Sequence, residues 1–107
     1  ESYNAADVAA SFQKTVVETL VEKTMDAASY SKAKKIVLAG GVSANGCLAA
    51  AMQEACDKKG YAFYHPDPIL CTDNGAMIGC RAYYMAQAGR FADLTLNAKP
   101  ALPITGE

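Results

Sequence analysis

The stretch "LAGGVSANGCL", residues 38–48, decides how this chain is read. It continues the β-branched pair Ile36-Val37 and runs into small residues compatible with a helix. Ile36-Val37-Leu38-Ala39 is short, apolar and uncharged, the pattern of a buried strand. The Gly40-Gly41 pair stops that strand and lets another group approach the backbone closely. From about Ala44 to Lys59, Leu48, Met52, Ala55 and Cys56 recur at helical spacing, and Gly60 supplies the C-terminal stop. Ser43 is placed to cap this helix at Ala44.

Outward from this unit the same alternation continues. Between Ala5 and about Ser29, Val8, Phe12, Val16, Leu20 and Met25 recur roughly once per turn, with Val17, Val21 and Ala28 widening the stripe. This predicts a long amphipathic helix capped by Asn4 and ended by the polar run Ser31–Lys35. Downstream, Tyr61-Ala62-Phe63-Tyr64 reads as a second strand, and the proline-containing segment through Asp73 as a loop. Gly75 to Ala88 reads as a helix stopped by Gly89, and residues 91–107 as an irregular tail. A strand, a helix and a second strand in this order predict a crossover and parallel pairing. Two strands make a small sheet, since parallel sheets are normally larger and covered on both faces. The 107 residues are therefore read as a single fragment of a larger α/β protein.

Composition bounds the function. With 51% apolar and 20% charged residues the chain is a globular one, not a disordered one. A net charge of −1 argues against a dedicated nucleic-acid module, which needs a basic patch to neutralise phosphates. No apolar run approaches the ~18 residues of a membrane span, and Glu1-Ser2-Tyr3-Asn4 is no signal peptide, so a cytoplasmic location without membrane association is expected. The four cysteines, Cys47, Cys56, Cys71 and Cys80, contain no Cys-x-x-Cys pair and are expected to be buried or half-buried free thiols. The one histidine, His65, stands beside Pro66 and Pro68 and reads as a loop residue. No nucleophile with a partnered base, as a protease needs, is evident.

Ligands of open α/β folds bind outside the C-terminal ends of the strands, which makes two segments candidates. Gly40-Gly41 precedes a helix N-terminus, where free N–H groups suit an anion or a polar ligand edge; equally, the pair can serve only to turn the chain. It lacks the spacing of a Walker loop or a dinucleotide fingerprint. Asn45 either offers its amide to a ligand or satisfies backbone groups at the helix start. In Cys71-Thr72-Asp73-Asn74-Gly75, Asp73 is an N-cap or an oxygen ligand for a metal, while Thr72 and Asn74 fix the loop locally.

Three motifs carry a resemblance. DVAASFQ (7–13), LAGGVSAN (38–45) and CTDNGAMI (71–78) agree in order and separation with the C-terminal part of the TsaD family, formerly called O-sialoglycoprotein endopeptidase or glycoprotease. The resemblance runs from about Asp7 to Gly89. It implies a partial actin-like, Hsp70-like ATPase lobe of ribonuclease-H-like design, the second of two. It also implies an acyltransferase that moves a threonylcarbamoyl group from threonylcarbamoyl-adenylate to the adenosine next to the tRNA anticodon. On this resemblance Asn45 contacts the adenylate, Gly40, Gly41 and Ser43 lie at its nucleotide portion, and Asp73 is a metal ligand. The metal is one divalent ion per full-length subunit, iron by family assignment with zinc as the other candidate. Two histidines of a His-x-x-x-His helix complete that site from the other lobe, and they are absent here. The isolated chain is accordingly expected to be inactive, to hold neither nucleotide nor metal tightly, and to self-associate. Partner proteins of the bacterial system are expected to dock mainly on the other lobe. Two other readings are a carbohydrate kinase of the same superfamily and a non-catalytic packing domain.

Overall fold

The computed structural model of the chain describes residues 3–98, 100, 101 and 103. The elements run in the order α1 (Ala5–Ser31), β1 (Lys35–Val37), a 3-10 turn (Gly41–Ala44), α2 (Gly46–Lys59), β2 (Ala62–Tyr64), α3 (Pro68–Cys71) and α4 (Gly75–Gln87). They fall into two compact units, Glu1–Asp73 and Asn74–Glu107.

In the first unit, α1 begins where expected. The Asn4 side chain accepts the Ala6 N–H at 3.1 Å, satisfying one of the first-turn donors. The helix outruns its expected end by about half a turn and stops at Lys32, whose left-handed backbone (φ 58°) lets its N–H reach the carbonyls of Ala28 and Ser29. The seam that α1 buries is the widened side of the stripe, Val17, Val21 and Ala28, joined by Met25 of the main stripe. Val8, Phe12 and Leu20 of the main stripe stay exposed. Against this seam lies α2, whose Leu48, Met52 and Cys56 are spaced four residues apart and fully buried. Ile36 of β1 closes the cluster, with Leu38, Tyr61 and Phe63 packed at its edge.

The strands are parallel, with Lys35 opposite Ala62, Ile36 opposite Phe63 and Val37 opposite Tyr64. The ladder continues past β1, because the Leu38 N–H donates to the Tyr64 carbonyl at 2.9 Å. The expected strand over residues 36–39 thus shifts to Lys35–Val37, and the expectation of a buried strand holds for one residue: Ile36 is buried, while Val37 is 68% exposed on the opposite face. Successive strand side chains point to opposite sides, and within this unit helices cover only one.

Other boundaries also move. The helix expected from Ala44 begins at Gly46, because residues 41–44 take the tighter 3-10 form first. Gly60 ends it in the left-handed region (φ 66°), as read from the sequence. The loop expected through Asp73 contains one helical turn, α3, with Pro68 at its start, where a missing N–H costs nothing. In the second unit, α4 is capped by Asn74, whose side chain accepts the Met77 N–H at 3.0 Å. Described residues 91–98 form neither helix nor strand.

All four cysteines are free, but only Cys56 and Cys71 are buried; Cys47 and Cys80 are exposed, against expectation. Burial pushes the Cys56 thiol up from its ordinary range, with Asp57 adding to the effect. In this chain at neutral pH, a maleimide should modify Cys47 and Cys80 rapidly and leave Cys56 and Cys71 largely unmodified, as read by peptide mass mapping. Met52→Ala should cost about 2–5 kcal/mol in urea unfolding, and Phe12→Ala at the exposed end of α1 less than about 0.5 kcal/mol.

Candidate functional site

Parallel pairing brings the segments after β1 and β2 to the same edge of the ladder. The first segment is the glycine turn. Gly40 has φ 93° and ψ 169°, a backbone region open essentially to glycine alone. Its carbonyl is held twice by Ser43, from the backbone N–H at 2.9 Å and from the hydroxyl at 2.6 Å. Ser43 is 1% exposed, so its hydroxyl points inward to brace the turn. It does not cap α2.

That role belongs to Asn45. Its Oδ1 accepts the Leu48 N–H at 3.1 Å, and its backbone carbonyl accepts the Ala49 N–H at 3.0 Å. With Oδ1 so engaged, Nδ2 faces α1, where it donates to Gln13 Oε1 at 3.4 Å; Gln13 Nε2 in turn donates to Cys47 Sγ at 3.3 Å. Asn45 therefore has one Nδ2–H left for a ligand. A groove of about 480 Å³ runs beside it, lined in part by Phe12, Gln13, Val16, Val42 and Leu48.

Gly40 and Gly41 are exposed, and a Cβ placed on either would meet no heavy atom within 4 Å. Gly40 is required by its own backbone angles. Gly41 is required by neither a positive φ nor crowding from this chain, and the space over it is open to another molecule.

The second segment starts at His65. Its Nε2 lies 2.9 Å from the Ser43 carbonyl oxygen and 3.6 Å from Cys71 Sγ. His65 thus bonds to the glycine turn, against which α3, the helical turn just before Asp73, also packs. In the sequence His65 reads as a loop residue; its one signal is its position, directly after a strand, as the single histidine of the chain. Asp73 is exposed and caps nothing, since the capping residue of α4 is Asn74. Its carboxylate is thus free of the duty that the N-cap reading gave it. Among the described residues, no three His, Cys, Asp or Glu side chains gather closely enough to hold a metal ion. One exposed carboxylate fits as a contributor to a metal site, and the remaining ligands would have to come from outside the described residues.

The family model of TsaD, tRNA N6-adenosine threonylcarbamoyltransferase, matches residues 1–80. The chain belongs to this family. The tRNA N6-adenosine threonylcarbamoyltransferase of Desulfitobacterium hafniense (strain Y51) is 52% identical over 102 residues, which cover 95% of this chain and 30% of that protein. Those of Moorella thermoacetica and Clostridium beijerinckii are 50% and 46% identical over 104 residues. The chain spans about three-tenths of the length of the TsaD relatives it matches. No helix among the described residues is long and apolar enough to cross a membrane.

In this TsaD chain, Gly40→Ala should cost about 1–3 kcal/mol in chemical unfolding because alanine is strained at those angles. Gly41→Ala should change stability by less than about 0.5 kcal/mol.

Proposed function

We propose that this chain is part of an enzyme that transfers a threonylcarbamoyl group from threonylcarbamoyl-adenylate to the N6 amine of the adenosine next to the tRNA anticodon. The observation that carries the reading is the exposed Gly40-Gly41 turn with open space above it, in a chain that belongs to the TsaD family. Relatives about 50% identical to the chain are named for this activity. The reading includes the partial actin-like lobe that the resemblance implies, and a cytoplasmic location.

The geometry supports the following division of labour. Gly40 and Gly41 present backbone without side chains, so the nucleotide portion of an adenylate can lie against the turn. Asn45 keeps one Nδ2–H as a hydrogen-bond donor for the ligand, its amide fixed by the cap and by Gln13. Ser43 keeps the turn in shape from inside. Asp73 offers one carboxylate oxygen pair to a metal, iron or zinc, completed by ligands outside this chain. Such a metal, when bound, supplies Lewis-acid polarisation of the acyl carbonyl. In the transfer, the amine nitrogen bonds to the carbamoyl carbon and loses a proton to solvent, the bond from that carbon to the phosphate oxygen breaks with its electron pair on the oxygen, and AMP leaves. This chain's residues hold the AMP half in register while that happens.

Half of the nucleotide cleft and most of the metal ligands lie outside these residues, so the isolated chain is inactive. Apolar residues such as Val37 and Tyr64, 68% and 53% exposed, leave it prone to self-association. Partner proteins of the threonylcarbamoyl-transfer system dock elsewhere on the longer protein.

In the intact protein, Asp73→Ala should abolish threonylcarbamoyl transfer to tRNA and lower the bound metal measured by elemental analysis. Unchanged metal and transfer would reduce Asp73 to a loop residue. Gly41→Ala should weaken adenylate binding at least tenfold by calorimetry without loss of stability.

A further inference from the structure

We propose that His65 is a positioning residue, whose Nε2–H donated to the Ser43 carbonyl clips the glycine turn to the segment that leads to Asp73. The proposal rests on the functional reading above for what the clip positions, and on geometry for the clip itself.

The protonation pattern follows from the partners. Nε2 lies 2.9 Å from the Ser43 carbonyl oxygen, which can only accept, so Nε2 carries the hydrogen. The Cys71 thiol, 3.6 Å from the same nitrogen, then has no ring lone pair to donate into. Its S–H is left to the carbonyls of Asp67 and Pro66, at 3.6 and 3.8 Å. One imidazole hydrogen thus points at the glycine turn, and one thiol hydrogen folds α3 back toward its own start.

The ring is well placed to act as a fixed strut. His65 directly follows β2, whose Tyr64 carbonyl is bonded to the Leu38 N–H on the neighbouring strand. Its ring lies parallel to that of Phe63, 6° between planes and 6.3 Å between centroids. At the other end, Ser43 is pinned at three atoms: its N–H and hydroxyl hold the Gly40 carbonyl, and its own carbonyl is held by His65. Release of the third leaves the turn closed on itself and held to the second segment only by its packing against α3. The turn carries Gly41 and leads into Asn45, and α3 leads into Asp73, so the clip sets the spacing between the two halves of the proposed site.

The test compares His65→Leu, which keeps the bulk and removes the donor, with His65→Gln, which keeps an N–H at similar reach. In the intact protein, His65→Leu should speed amide hydrogen exchange in residues 41–45 by about tenfold, the value of one hydrogen bond, and leave α1 unchanged. It should lower kcat/KM for threonylcarbamoyl transfer by a similar factor, and His65→Gln should restore most of both. Unaltered exchange in the leucine variant, or a glutamine variant as impaired as the leucine one, would overturn the clip. If exchange responds as expected while the unsubstituted protein transfers no threonylcarbamoyl group to tRNA, the clip stands and the functional reading fails. Should the leucine variant not fold, the nitrogen-15 spectrum of the unsubstituted imidazole decides: a hydrogen on Nε2 supports the proposal, and a hydrogen on Nδ1 overturns it.

Discussion

The parallel pairing of Lys35–Val37 with Ala62–Tyr64 is the constraint on which the rest depends. Antiparallel strands can be closed by a tight turn, but parallel strands need a crossover, and here α2 provides it. A crossover returns the chain to the starting edge, so both strands end at the same edge. The glycine turn and the segment from His65 to Asp73 are therefore neighbours in space although more than twenty residues separate Ser43 from His65 in sequence. Had the strands run antiparallel, the two segments would leave from opposite ends and no hydrogen bond could join them.

The turn after β1 shows how a short sequence divides its backbone and side-chain duties. Gly40 occupies a backbone region that side chains avoid, and Ser43 and Asn45 divide the polar work around it. The serine hydroxyl turns inward to the Gly40 carbonyl, and the asparagine carbonyl oxygen caps α2. Their internal bonds leave the glycine backbone exposed and one amide hydrogen of Asn45 unused, on a turn that has little freedom to rearrange.

Residues with strong local signals behaved as their chemistry dictates. Asn4 caps α1, Gly60 ends α2 in the left-handed region, Leu48, Met52 and Cys56 form a buried helical stripe, and the two strands pair in parallel. Signals that depend on neighbours were less legible. Ser43 and Asn45 are both good capping residues two positions apart, and the choice fell to Asn45 only because the chain winds through a 3-10 turn first. In the same way Asn74, not Asp73, caps α4. On α1 the periodicity marked a wide apolar face, but which side of it is buried was decided by where α2 lies.

By itself, the sequence determined the order of the two strands and the three long helices, some of their limits, and, through three motifs, membership in the TsaD family, because glycines, caps and apolar periodicity act over a few residues. Only the tertiary structure decided that His65 reaches Ser43, that Asn45 is braced by Gln13, that Ser43 faces inward, and that Cys47 and Cys80 are exposed. The physical reason is distance along the chain. A hydrogen bond between residues 43 and 65, or 13 and 45, leaves no periodic trace in either segment, since it exists only after the crossover has placed two strand ends and two helices side by side.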